Sequence, residues 1–136
     1  MTTHPTALAD QLRAASADAN ARIRRIADHD PTITYRADTS PGWLRALFQQ
    51  HLTALETGQG RVCPHLGPAP QVIHVFAWRP GWLLCPACQR LAEPTGIERF
   101  TCDTCRRHAR QLHPGVAALG PILFGYARCR TCHTAA

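Results

Sequence analysis

Seven cysteines fall in the second half of the chain, at Cys63, Cys85, Cys88, Cys102, Cys105, Cys129 and Cys132. Six of them form three Cys-x-x-Cys pairs. The seventh opens Cys63-Pro64-His65, and the imidazole two residues on gives it a partner. Four close pairs make eight ligands, which is what two tetrahedral metal sites require. The short spacing has a physical cause. Two ligands on one tight turn point at the same ion, and a second such turn completes the tetrahedron. Cys63, His65, Cys85, Cys88, Cys102, Cys105, Cys129 and Cys132 are therefore the expected ligands of two structural Zn²⁺ ions. His108 and His133 are the alternatives to His65. The other histidines, His4, His29, His51, His74 and His113, read as ordinary surface or core residues.

Competing thiol chemistries fit less well. Cys85-Pro86-Ala87-Cys88 alone could be a redox dithiol, but three such pairs close together argue for metal. Disulfides are disfavoured by the odd count and by the absence of a basic and then apolar leader at the start of the sequence. Cys₄ sets also suit iron–sulfur clusters, which leaves iron as the second choice. Catalytic zinc keeps an open coordination position, whereas eight protein ligands close two sites. No His-Glu-x-x-His, no His-x-Glu ahead of Pro-Cys-x-x-Cys and no Gly-rich phosphate loop occurs. The expectation is a protein that is not an enzyme.

Three pairings of the knuckles are open. The run from Cys85 and Cys88 to Cys102 and Cys105, with Phe100-Thr101-Cys102-Asp103-Thr104-Cys105 as its second knuckle, resembles a zinc ribbon. It would leave Cys63 and His65 to Cys129 and Cys132. A crossed arrangement resembles the RING-type brace. The third is sequential, and a weak internal repeat favours it. In both halves a first pair is followed by an apolar strand and then Cys-x-x-Cys: Val72–Trp78 ahead of Cys85, and Pro121–Arg128 ahead of Cys129. The resemblance to zinc ribbons and treble clefs covers residues 62–132. It implies a metal-built scaffold and no particular activity.

The elements that must position these knuckles follow from periodicity. Residues 6–27 read as an amphipathic helix with Leu8, Leu12, Ala15, Ala19, Ile23 and Ile26 on one stripe. Asp28-His29-Asp30-Pro31 ends it, and Thr32–Tyr35 is β-prone but short. A second helix over 41–57 has Ser40 as its N-cap, Pro41 at its first position and Gly58 just past its end. Its apolar face is Trp43 or Leu44, Leu47, Phe48, Leu52 or His51, and Leu55. Beyond Arg61 helical period disappears. Gln71–Trp78 and Trp82–Cys85 read as a hairpin about Arg79-Pro80-Gly81, Glu98–Cys102 as a strand, Cys105–His113 as a helical turn or two, and Pro121–Cys129 as a strand. The fold class expected is α+β: a helical region over 1–60, then a two-zinc module of short β-hairpins and knuckles over 61–136.

Charge suggests a partner. All 15 basic residues are arginine, which fits the codon usage of a GC-rich genome. Residues 1–60 are neutral overall, and the net +6 resides in residues 61–136. Seven thiolates on two divalent ions would reduce that to about +3, since metal-bound thiols are deprotonated. Arg79, Arg106, Arg107, Arg110, Arg128 and Arg130 lie on turns and knuckles, and Trp78 and Trp82 flank the hairpin turn. Arginines held this way suit phosphate contacts, and exposed aromatics suit base stacking. The expected function is a small regulatory nucleic-acid-binding protein, cytoplasmic, with DNA or RNA as its partner. The alternative is an adaptor that docks a protein, or a second copy of itself, through the N-terminal helices. Against the stacking role, Trp78 and Trp82 read first as a packed pair closing the hairpin.

Overall fold

Apolar residues one turn apart set the first helix. The computed structural model describes residues 5–135, and in it α1 (Pro5–His29) buries Ala15, Ala19 and Ile23 on one face. Leu8 and Leu12, nearer its start, are each 47% exposed. So narrow an apolar face takes its stability from what it docks on. Helix α2 (Gly42–Glu56) begins one residue later than expected. Pro41 is its N-cap, accepting the Leu44 and Arg45 N–H groups, and the Ser40 amide is instead held by Asp38 Oδ1 at 2.9 Å. Gly58 ends it as expected. Its φ of +76° lets the Gly58 and Gln59 N–H groups turn back to the Leu55 and Ala54 carbonyls. The buried face is Leu44, Leu47, His51 and Ala54, so His51 takes the place open to Leu52.

The central sheet comprises β1 (Thr34–Arg36), β3 (Ile73–Phe76), β5 (His113–Leu119) and β6 (Ile122–Arg128). They lie in the order β1-β5-β6-β3. A separate parallel pair joins β2 (Arg61–Val62) to β4 (Trp82–Leu83). Strands β5 and β6 form an antiparallel hairpin closed by Gly120 and Pro121, with Gly120 at φ +56°. Strands β1 and β3 add to its two edges in parallel. Alternation along the strands then gives the sheet two apolar faces. Val75, Ala77, Ala117, Phe124 and Tyr126 meet Leu44 and Leu47 of α2. Val116, Ala118 and Leu123 meet Ala19 and Ile23 of α1. The result is a mixed helix-and-strand fold in three layers, with one helix on each face. The sheet crosses residue 60, because β1 comes from the first half of the chain and the other three strands from the second. No helix among the described residues is long and apolar enough to cross a membrane.

Four local expectations change. Glu98–Cys102 is not a strand. Gly96–Phe100 is a 3₁₀ helix started by a Thr95/Glu98 capping box, in which the Thr95 N–H donates to Glu98 Oε1 at 3.0 Å. Cys105–His113 is not helical. The chain doubles back after Cys105, with Arg106 at φ +64° and the Cys102 N–H bonded to Arg107 C=O at 2.9 Å. The hairpin about Arg79–Gly81 closes through a single antiparallel pair, His74 with Leu84, while β4 itself pairs with β2. Strand β5 occupies a stretch in which periodicity shows no element. A final short helix, α3 (Arg130–Thr134), follows β6 directly.

Candidate metal centres

The first cluster is built from two strand ends. β2 runs beside β4, with the Arg61 N–H on Gly81 C=O at 3.0 Å and the Cys63 N–H on Leu83 C=O at 2.8 Å. Cys63 and the knuckle at Cys85 therefore emerge side by side. The knuckle closes with the Cys88 N–H on Cys85 C=O at 3.0 Å. Cys63 Sγ lies 3.6 Å from Cys85 Sγ and 3.4 Å from Cys88 Sγ. His65 Nδ1 lies 3.0, 3.6 and 3.3 Å from the sulfurs of Cys63, Cys85 and Cys88.

The second cluster is Cys102, Cys105, Cys129 and Cys132. Asp103 locks its first knuckle to the end of β6. The Asp103 N–H donates to Ala127 C=O at 2.9 Å, and the Ala127 N–H donates back to Asp103 Oδ2 at 2.7 Å. β6 delivers Cys129, and the first turn of α3 brings Cys132 round to the same side, with the Cys105 and Cys129 sulfurs 3.8 Å apart. In each cluster the four ligand atoms lie within 4.8 Å of one another.

A tetrahedral ion with sulfur at about 2.3 Å and imidazole nitrogen at about 2.0–2.1 Å would set S···S edges of about 3.8 Å and N···S edges of about 3.6 Å. The observed separations are close to these values. They are far longer than a disulfide, near 2.0 Å. Both clusters could hold a metal ion.

Without a cation these thiols conflict. Burial opposes ionisation of Cys63, but hydrogen bonds from the Cys85 and His65 backbones and the neighbouring thiols outweigh it and bring Cys63 down to about 6. Donation to the Cys63 and Cys85 sulfurs pushes Cys88 up to about 12. The second cluster repeats the split. Burial again opposes ionisation of Cys102, while backbone donors of Cys105, Cys129 and Thr104 bring it down to about 6. Burial and the surrounding sulfurs push Cys132 up to about 12. One sulfur in each set is stabilised as an anion and another is held protonated by its neighbours. A divalent cation at the centre removes that opposition.

The alternative histidines make other contacts. His108 is exposed and packs on Phe100, and His133 stacks on His113 with ring centroids 4.5 Å apart. His4 lies outside the described residues, and His29 is exposed. His51 and His74 are buried, and both tie elements together. His51 bridges α2 to the turn before β4. His74 accepts from Arg22 Nε of α1 at 2.7 Å. For His51 the sequence does carry a signal, its place three or four residues from buried apolar neighbours. Asp103 has only its position inside a knuckle.

The arginines and tryptophans divide. Arg79 pairs with Glu98 at 2.8 Å. Arg128 is buried, with its guanidinium carbon 3.8 Å from the Trp43 ring centroid. Trp78 stacks on Phe76 at 5.0 Å and donates Nε1–H to Ala92 C=O at 2.6 Å. The guanidinium groups of Arg61 and Arg79 both lie over the Trp82 ring, at 4.9 and 5.2 Å. Arg106, Arg107, Arg110 and Arg130 are exposed around the second cluster. There a groove of about 340 Å³, floored by Cys105, Cys129 and Cys132, is walled by Arg107, His108, Gln111, Arg130 and Thr131. Comparison with family models, with curated proteins and with solved structures finds no match to the chain.

Proposed function

We propose that the chain is a non-enzymatic protein that holds two structural Zn²⁺ ions in sequential order. Cys63, His65, Cys85 and Cys88 bind one, and Cys102, Cys105, Cys129 and Cys132 bind the other. The separations of 3.4–3.8 Å between the sulfurs carry this reading. Ligands so close share a single ion, whereas cysteines on a multi-iron cluster each bind a different iron and stand further apart. Thiolate and imidazole donors in tetrahedral sets select zinc among the common divalent ions. With all four positions of each ion taken by protein, neither keeps a site for substrate. Native mass spectrometry against the denatured mass tests this, and a folded chain free of metal would reject it.

We further propose that the second site presents a phosphate-binding surface to nucleic acid. The support is the exposure of Arg106, Arg107, Arg110 and Arg130 near the second cluster, with Arg107 and Arg130 lining one groove beside it. Arg79, Arg128, Trp78 and Trp82 drop from this role because each is engaged within the fold. Retention on DNA or RNA that falls steeply with salt is the expected behaviour. The adaptor reading has its own observation, the exposed Leu8 and Leu12 one turn apart on α1. Sedimentation and salt response separate the two, since an apolar helix interface barely responds to salt.

A further inference from the structure

We propose that Arg128 is the buried counter-charge of the second metal site and that, through Trp43, it latches helix α2 to that site. The inference rests on the metal reading above. Arg128 is only 5% exposed, although arginine remains charged at any pH the fold meets. The ion pairs among the described residues are Arg13 with Asp10 and Arg79 with Glu98, so no carboxylate neutralises Arg128. Its Nε is buried without a hydrogen-bond partner. An uncompensated buried charge of this kind is strongly unfavourable.

Two neighbours change that balance. Arg128 directly precedes Cys129 in the chain, and its Nη2–H donates to the backbone carbonyl of Cys132, so the guanidinium is anchored on the last ligand pair. Four thiolates around one divalent ion carry a net charge of −2. That charge is what balances a buried guanidinium beside the cluster. The guanidinium also lies on Trp43, 3.8 Å from the ring centroid, and Trp43 sits edge-on to Tyr126 at 5.0 Å. Trp43 is in the first turn of α2, and Arg36 of β1 approaches the same ring at 5.6 Å. The second site is thus tied to the N-terminal half by one cation–π stack. The first site has three thiolates and an imidazole, a net charge of −1 when loaded, and the arginines near it are not buried unpaired: Arg61 is exposed and Arg79 is paired with Glu98.

Loading the second site should therefore strengthen the stack and steady the start of α2, while loading the first should not. The test is a titration of the full chain with Co²⁺. The S₄ and S₃N sites give different ligand-field spectra, so chelator competition reads each affinity separately. Hydrogen exchange across 42–48 reports the latch. Arg128→Met should weaken the second site by roughly 10–100-fold and leave the first unchanged. Arg128→Lys keeps the charge and gives up the planar stack. It should retain most of the second-site affinity while exchange at 42–48 accelerates. If Arg128→Met does not fold, the Arg128→Lys split decides alone. Equal losses at both sites, or an unchanged second site with slow exchange at 42–48, overturns the inference while two ions per chain leave the metal reading standing. A wild-type chain that binds no metal rejects both.

Discussion

Gly81 donates its backbone N–H to Nδ1 of His51 across 3.1 Å, and this bond joins helix α2 to the turn that leads into Cys85. The acceptor role at Nδ1 leaves the proton on Nε2, which faces the Trp82 carbonyl at 3.3 Å. The imidazole is therefore neutral, and burial lowers its pKa accordingly. The turn also comes close, since a Cβ on Gly81 would stand 2.9 Å from that of Ala54. His51→Leu keeps the volume and removes both bonds. A buried N–H and a half-buried carbonyl are left without partners, which costs about 2 kcal/mol. Urea denaturation of the metal-loaded chain should show the loss, with two ions still bound. An unchanged midpoint would mean that the turn holds without the helix.

Acid should weaken the fold through His74 as well as through the thiols. Burial first, and then the charge of Arg22, lower the His74 pKa from 6.5 to about 4. The unfolded chain then binds more protons between these values, so stability is full above about pH 6.5 and falls as pH drops toward 4. The contribution amounts to about 3 kcal/mol. His74→Phe removes this component and leaves thiol protonation in place. Its stability curve should be flatter than wild type across that window by the same amount. Parallel curves would show that His74 is not held neutral.

The candidate ligand pairs were legible because knuckle spacing is local, while which pairs share a cluster depended on the fold. Two cysteines three residues apart must share a turn whatever the rest of the fold does. The strand-then-knuckle repeat also carried spatial information, for Ile73–Phe76 and Ile122–Gly125 lie paired in the sheet. What stayed hidden depends on distant partners. Strand β5 contains Pro114, Gly115 and two alanines, which weaken any strand pattern, and Tyr126 lies where a Cβ on Gly115 would stand. The glycine permits that close approach. The 3₁₀ helix at Gly96–Phe100 had a legible signal in Thr95-Gly96-Ile97-Glu98, which the β-prone residues after it masked. Charge could not reveal which arginines face solvent. Arg79 and Arg128 have the same formal charge as Arg106 and Arg130, and only tertiary contacts distinguish them.

Removing one cluster should leave the other loaded. Cys102→Ser takes away a fully buried ligand of the second set, and Cys63→Ser one of the first. In sequential order each variant binds one ion per chain, retained by the untouched four ligands. Native mass spectrometry counts them. A crossed order would place Cys102 with His65, so Cys102→Ser would remove the S₃N spectrum with Co²⁺. A nested order would place Cys129 with His65, so Cys129→Ser would remove it, whereas in sequential order neither does. Chelating both ions should unfold the knuckles, since structural zinc supplies on the order of 10 kcal/mol of apparent folding energy.

Nucleic-acid binding, if the arginine surface performs it, should depend on four side chains and no others. Arg106 stands at φ +64° immediately after Cys105 and is exposed, beside the cavity that Glu98 and Asp103 line. Arg107 and Arg130 both line the groove beside the second cluster, and Arg110 is exposed a few residues on. Each phosphate left without its arginine should reduce the log–log salt slope by roughly 0.7–0.9. Replacing Arg106, Arg107 and Arg110 together should therefore lower the slope by about 2–3 and weaken binding without sequence preference. Metal content should stay at two, because none of the three is a ligand. Replacing Arg79 instead should leave the slope unchanged and lower stability, since its charge is already spent on Glu98 at 2.8 Å. A slope that responds to Arg79 and not to the exposed three would place the interface on the hairpin turn. No retention of wild type on single- or double-stranded DNA or RNA at low salt would reject the nucleic-acid reading and favour the exposed leucines of α1 as the working surface.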